Sequence, residues 1–384
     1  MFGGFRMKFT VKRTAFLKKL GEVQLAISNR TTIPILTGIK ITATDKGITL
    51  TGSDADISIE TFIDVTNEDY QLDIEKTGSI VLQPARFFSD IVRKLPDDFF
   101  TIEVQDQFRT SITSATSAFN IHGLDADNYP RLPQIDSNET FQLSVPILKQ
   151  VIRQTVIAVS IHESRPILTG VNLSIKDGKL RAVATDSHRL SQRVIPLDVS
   201  KELEYNIVIP GKSLQELSRL LGDSTDEIEV IITENQALFK TSETNFYSRL
   251  LEGNYPNTDR LIPASASTYV TLEANVLLSA IERASLLSHA GKNNVVKMTV
   301  EKESLTITGN SPEIGHVEEE VVFKAIEGET IEISFNPDYM KDALNTFGPM
   351  EVVLQLISPL RPFVLVPNEE EREFIQLITP IRTS

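Results

Sequence analysis

The pentapeptide Pro34-Ile35-Leu36-Thr37-Gly38 recurs letter for letter as Pro166-Ile167-Leu168-Thr169-Gly170, an offset of 132 residues. The chain around both copies keeps step without a gap. Ile39 and Ile41 answer Val171 and Leu173, Asp45 answers Asp177, Ile48 answers Leu180, and Asp54 answers Asp186. A fainter third copy runs from Val295 to Ser311, where Leu305-Thr-Ile-Thr-Gly309 answers Ile48-Thr-Leu-Thr-Gly52. Asn128-Tyr129-Pro130 returns as Asn254-Tyr255-Pro256. Such a period is too long for a solenoid repeat or a propeller blade, so one domain fold is used three times.

Hydrophobic periodicity gives each copy the same order: strand, helix, strands, helix, strands. Helices are expected over residues 12–27, 84–95, 146–159, 212–221, 273–288 and 337–346, where apolar residues recur at helical spacing. Alternating runs such as 35–42, 48–52, 57–65, 100–104 and 117–122 read as strands joined by short turns. Short turns between successive strands make the sheets antiparallel. The expected class is α+β, with three repeated domains of antiparallel sheet carrying two helices each. Their expected boundaries are 7–134, 135–263 and 264–384, with residues 1–6 a leader ahead of the second methionine, Met7.

Composition excludes several function classes. With no cysteine, the chain has no disulfide, no thiolate metal site and no cysteine nucleophile. No apolar run approaches the length of a membrane span, and no signal-peptide pattern is present, so a cytoplasmic address is expected. The net charge of −14 argues against simple adhesion to nucleic acid or anionic lipid. Its distribution argues otherwise. The six expected helices hold 13 Lys and Arg against seven Asp and Glu, leaving −20 for the rest of the chain. Basic residues share polar helix faces, as in Lys12 with Lys19, Arg86 with Arg93, Lys149 with Arg153, and Lys212 with Arg219. Lysine and arginine also favour solvated helix faces for their own sake. Across a chain this acidic, the bias fits a protein that holds a polyanion within a basic cavity.

Ala184-Thr-Asp-Ser-His-Arg-Leu190 is the most chemically suggestive stretch. A hydrolase would need its nucleophile and base brought together in space, beside an oxyanion hole. Neighbours on one strand point to opposite faces and form no relay, and no Gly-x-Ser-x-Gly elbow accompanies them. The five histidines, His122, His162, His188, His289 and His316, lack metal-ligand spacing, and no Gly-rich phosphate loop occurs. No cofactor is expected. The acidic run at 369–373 reads as a solvated loop.

The chain resembles the bacterial DNA polymerase III beta subunits, the family of replicative sliding clamps. The resemblance spans residues 7–382. It rests on Met7-Lys-Phe-Thr-Val11, Pro34-Ile-Leu36, the Ala184–Leu190 stretch, Asn254-Tyr-Pro256 and Pro380-Ile-Arg382. It implies a head-to-tail homodimer closing a six-domain ring around duplex DNA, irrespective of sequence. Such a ring is non-catalytic and tethers the polymerase III catalytic subunit. It also engages the clamp loader, other polymerases and repair proteins through short peptide motifs, with no membrane partner.

By resemblance, the partner-peptide pocket takes Leu168, Thr185, His188, Arg189, Leu190, Pro256, Arg260, Leu261, Pro380, Ile381 and Arg382. Arg30, Arg86, Arg153 and Lys212 match positions facing DNA, and Leu286 and Leu287 match the dimer interface. Ser187 stands where some family members carry glycine, and Thr379-Pro-Ile381 replaces a methionine-flanked proline. Two other classes stay open at this point: an acidic repeat-domain scaffold without DNA linkage, and a hydrolase using Asp186 and His188.

Overall fold

The computed structural model of the protein describes residues 6–28, 30–132, 135, 140–162, 164–290, 294–368 and 373–382. Residues 369–372 of the acidic loop expected at 369–373, most of the leader, and residues 383–384 lie outside these. The first repeat runs β1 (Met7–Lys12), α1 (Arg13–Gln24), β2 (Ile39–Thr44), β3 (Gly47–Ser53), β4 (Ile57–Asp64), β5 (Asp73–Lys76), β6 (Gly78–Leu82), α2 (Ala85–Lys94), β7 (Phe99–Val104), β8 (Arg109–Ser114) and β9 (Ser117–His122). The second runs β10 (Thr140–Ser144), α3 (Val145–Thr155), β11 (Gly170–Lys176), β12 (Lys179–Thr185), β13 (Arg189–Pro196), β14 (Tyr205–Pro210), α4 (Gly211–Leu221), β15 (Glu227–Ile232), β16 (Gln236–Lys240) and β17 (Thr244–Arg249). The third runs β18 (Thr268–Glu273), α5 (Ala274–Ala290), β19 (Val296–Val300), β20 (Leu305–Ser311), β21 (Gly315–Glu320), β22 (Ala325–Gly328), β23 (Ile331–Phe335), α6 (Pro337–Phe347), β24 (Glu351–Leu356), β25 (Phe363–Pro367) and β26 (Phe374–Ile378).

The order strand, helix, strands, helix, strands thus occurs three times, and all six expected helices form. One short strand, β5, was not expected. It pairs at the margin of β1, and four residues are too few to register as periodicity. The expected strand over 35–42 begins late. Pro34–Thr37 is instead a short 3-10 turn, with proline fixing its first residue and the Thr37 hydroxyl donating to the Pro34 carbonyl at 2.8 Å. Pro166–Thr169 does the same at 2.6 Å.

Contacts divide the chain into two compact units, residues 1–145 with 215–250, and residues 146–214 with 251–384. The first holds a five-stranded sheet, β5-β1-β7-β8-β9, and an eight-stranded sheet, β10-β15-β16-β17-β4-β3-β2-β6. Its core gathers Phe16 of α1 against Phe9, Phe88 and Phe100, with ring centroids 6.3, 6.3 and 5.1 Å away. Burying each such ring contributes about 1.5–3 kcal/mol. The second unit holds a nine-stranded sheet, β14-β11-β12-β13-β26-β25-β24-β18-β22, and a four-stranded sheet, β21-β20-β19-β23. There α5 packs on α6 and across β20 and β21. The Asn336 side chain caps α6 by accepting from the Asp338 N–H, ahead of Pro337.

Antiparallel seams join the repeats. β4 of the first pairs with β17 of the second, and β13 of the second pairs with β26 of the third. The first seam is fastened by polar groups. Glu22 of α1 accepts from the hydroxyls of Thr61 on β4 (3.1 Å) and Thr244 on β17 (2.7 Å). Lys19 lies 3.2 Å from Glu22 and 2.8 Å from Glu243, which also accepts from the Tyr70 hydroxyl at 3.0 Å. Lys19 is only 4% exposed. This corrects its expected place on a solvated basic face: two carboxylates hold it inward. The second seam is stitched by Gln376, whose amide donates to Gln154 O (3.0 Å), Ser191 Oγ (3.0 Å) and Thr346 Oγ1 (3.1 Å).

The repeated glycines Gly52 and Gly309 have one cause. A Cβ on Gly52 would sit 2.4 Å from the carbonyl oxygen of Val23, and one on Gly309 would sit 2.3 Å from that of Ala284. Strand and helix backbones touch at these points, so only glycine fits. Gly21, inside α1, has nothing within 4 Å of its would-be Cβ. Gly52→Ala should lower stability by about 1–3 kcal/mol through overpacking. Gly21→Ala should raise it by about 0.5–1 kcal/mol. Chemical denaturation of the two variants reads these opposite signs.

Candidate functional site

Asp186-Ser187-His188 forms a tight turn between β12 and β13, not the run of one strand expected from the sequence. The Asp186 carboxylate builds it. Its Oδ1 accepts from the backbone N–H of His188 (2.9 Å) and of Arg189 (3.0 Å), and its Oδ2 from Arg189 Nε (3.0 Å). Thr185 Oγ1 accepts from Ser187 N (3.2 Å) and donates to Arg189 O (2.7 Å). Ser187 has φ +80°, in the left-handed region that favours glycine.

Arg189 is the hub. Its guanidinium also meets Asp342 Oδ2 at 2.6 Å and lies 4.5 Å over the ring of Tyr339, both on α6. His188 stacks on the same ring at 6.5 Å between centroids. The Tyr255 hydroxyl accepts from Thr185 N at 3.0 Å. Burial pushes its pKa up to about 12, so the phenol stays neutral near pH 7. The chain end joins through β26: Ile378 pairs with Arg189, Thr379 N donates to His188 O at 2.9 Å, and Ile381 N donates to Ser334 O at 2.7 Å.

Thr185, His188, Arg189, Leu190 and the 378–381 segment are therefore brought together, with Tyr255 beneath. Leu190 packs in a buried cluster with Val183, Val364 and Leu377, against Tyr255 and Ile262. Leu168 is likewise buried, and Ile167 before it lies against Gly253. Both leucines are covered. Apolar surface is left open at Pro256, at Leu261, which is 49% exposed, and at the half-buried Pro380 and Ile381. Arg260 and Arg382 are exposed. Tyr255, Tyr339 and Asp342 were missed in the sequence. The repeated Asn-Tyr-Pro was a signal for the first; the other two act from about 150 residues away in the chain, at a separation of 153 for Asp342.

The remaining candidates lie elsewhere. Arg30, Arg86, Arg153 and Lys212 are all exposed, and the six helices carry 12 Lys and Arg against six Asp and Glu. Leu286 is 70% exposed on α5, and Leu287 is half-buried. The hydrolase alternative fails on geometry: three N–H donors occupy the Asp186 carboxylate, and the His188 ring faces Tyr339. Among the described residues no group of three or more His, Asp or Glu is placed to hold a metal ion. No described helix is long and apolar enough to cross a membrane.

Ser187→Gly should relieve the left-handed strain and raise stability by up to about 1 kcal/mol, set against the extra freedom glycine gains when unfolded. A rise in Tm with unchanged peptide affinity is the expected outcome, read by calorimetry and titration.

Comparison with known proteins finds one family along nearly the whole chain. Three family models match in order: the DNA polymerase III beta subunit N-terminal domain at residues 7–133, its central domain at 142–257 and its C-terminal domain at 259–382. The beta sliding clamp of Bacillus subtilis (strain 168) is 50% identical over 380 residues, covering 98% of this chain and 100% of the relative. That of Staphylococcus aureus (strain N315) is 46% identical over 379 residues, again covering 98% and 100%. The crystal structure of the B. subtilis DNA polymerase sliding clamp superposes with a TM-score of 0.96, covering 99% of this chain and 100% of that one. The DNA polymerase III beta chain of Streptococcus pneumoniae gives 0.95 at 41% identity, covering 98% and 100%. Matched from end to end by all three of its domain models, the chain belongs to the DNA polymerase III beta subunit family, the bacterial sliding clamps.

Proposed function

We propose that two copies of this chain close head to tail into a six-domain ring that encircles duplex DNA and tethers the replicative polymerase. The observation that carries it is a missing third seam. β4 and β13 each end the first half of a repeat, and each pairs with a strand that ends the second half of the next repeat, β17 and β26. By the same rule β21 requires the strand that ends the second half of a first repeat, β9. Both are open edges in the chain. The five- and four-stranded sheets they terminate would join into nine strands, as many as the largest sheet within the chain. A long exposed edge calls for a partner strand.

The link is heterologous, so a ring results when the rotation closes. Apolar side chains flank β21: Leu286 on α5, Ile314 at 62% exposure and Val322 at 77%. Phe119 is exposed on β9. The domains are proposed as residues 7–134, 135–263 and 264–384. Replacing both Leu286 and Leu287 with glutamate should yield folded monomers, because interface cores rest on desolvated apolar anchors. Sedimentation checks this, and an unchanged dimer would place the interface elsewhere.

The ring is non-catalytic; it works by topology. It carries −28 per dimer, twice the −14 of one chain, so it repels phosphate except where Arg30, Arg86, Arg153 and Lys212 face the duplex. Its place of work is the bacterial cytoplasm. Protein loaded on circular DNA should survive moderate salt and escape when the circle is cut. A steep salt dependence shared by circles and linear DNA would indicate ordinary backbone binding.

Partners dock by short peptides on the surface of Leu261, Pro256 and Ile381, over the Leu168 and Leu190 floor. Thr185, His188, Arg189, Pro380, Arg260 and Arg382 complete that site. Burying two peptide side chains contributes roughly 3–6 kcal/mol, against about 8 for a micromolar constant. Isolated peptides should therefore bind at micromolar strength or weaker. Joint tethering on DNA supplies the effective concentration that the polymerase needs. Deleting residues 380–384 should weaken peptide binding at least tenfold while the dimer persists, as titration and sedimentation will read.

A further inference from the structure

The turn that builds the peptide site has a twin in the first unit. Ala55 has φ +80°, as Ser187 does. Asp54 Oδ1 accepts from Asp56 N (3.1 Å) and Ile57 N (2.8 Å), as Asp186 Oδ1 accepts from His188 N and Arg189 N. Ser53 Oγ accepts from Ala55 N (3.1 Å) and donates to Ile57 O (3.1 Å), the roles of Thr185 Oγ1. Arg249 N donates to Asp56 O at 2.9 Å, as Thr379 N donates to His188 O at 2.9 Å. Leu36 lies buried on the Pro34–Thr37 turn as Leu168 does on Pro166–Thr169, and Tyr129 is buried in this repeat where the half-buried Tyr255 stands in the next. The repeat thus reproduces the scaffold of the partner pocket at the β4·β17 seam.

A cavity of about 280 Å³ opens there. Its chemistry differs from that of the first site. Ile33, Leu36 and Leu132 supply apolar wall, and Arg131 and Arg249 line it as well. Both arginines are exposed, and no ion pair among the described residues engages either. The lining Gln236 has its Oε1 sealed from solvent with no hydrogen-bond donor, an acceptor that costs free energy until a donor meets it. Where the first site has Leu190, this one has Ser58, so its apolar capacity is smaller.

We infer that this cavity is a second peptide site, taking a short segment with one apolar side chain beside a carboxylate. The apolar group lies against Ile33 and Leu132, and the carboxylate between Arg131 and Arg249. The class of ligand rests on the reading of the first pocket given above; the cavity and its two arginines do not. A ring so built carries two unlike peptide sites per protomer, and one partner with two segments engages both.

The test uses the full-length dimer labelled with 3-fluorotyrosine, since Tyr247 lines this cavity and Tyr247→Phe assigns its fluorine resonance. The probe is the N-acetylated hexapeptide Glu-Asp-Leu-Phe-Leu-Glu. The Tyr247 resonance should shift saturably and should do so equally in protein lacking residues 380–384. Arg131→Glu with Arg249→Glu should weaken that shift at least tenfold while leaving the melting temperature and binding at the chain-end pocket unchanged. A Tyr247 resonance that stays still while the chain-end pocket saturates overturns the second site and leaves the first standing. A shift indifferent to the two charge reversals overturns it as well. A Tyr247 shift without binding at the chain end sustains the second site and removes the first.

Discussion

An unpaired strand edge is a row of hydrogen-bonding groups that needs a partner, and this need organises the protein. Each repeat is too narrow to satisfy its own edges. The chain answers twice within itself, at β4·β17 and β13·β26. Both seams then receive a polar fastening that a sliding of register would break: Lys19, Glu22 and Glu243 at one, Gln376 with Gln154 and Ser191 at the other. Buried groups of this kind add less to net stability than to uniqueness, since an unpaired member is costly. Among the sheet edges left open in the described residues, β9 and β21 are the two that the same rule would join between copies.

Function follows from the same economy. A closed ring holds DNA by enclosure, so it has no need of tight contacts that would stop it sliding. In the proposed ring, basic helix residues retain the duplex while the net negative charge of the chain opposes contact elsewhere. The proposed peptide site lies at a seam, where two repeats supply a turn and a strand end together. Leu168 and Leu190 are already buried there, so a peptide would gain only the remaining exposed apolar surface.

Much of this was legible in the sequence because it is written locally or by repetition. The helices announced themselves by spacing, and the Pro-Ile-Leu-Thr-Gly repeat marked equivalent turns. What escaped was set by distance. Lys19 looked like a member of a solvated basic face because Glu243, which draws it inward, lies more than two hundred positions on. The partners of Arg189 were not legible because Tyr339 and Asp342 arrive from α6. Strand β5 is held by its neighbour's edge, not by any pattern of its own.

Amide hydrogen exchange of β9 and β21 measures the third seam directly. At concentrations where sedimentation gives a dimer, alternate amides of Ser117–His122 and Gly315–Glu320 should be protected as strongly as those of β4 and β13. Dilution to monomer should release β9 and β21 while β4 and β13 stay protected. If both strands exchange at the rate of free edges in the dimer, the ring does not close through them, and the account of the fold as three equivalent seams is wrong.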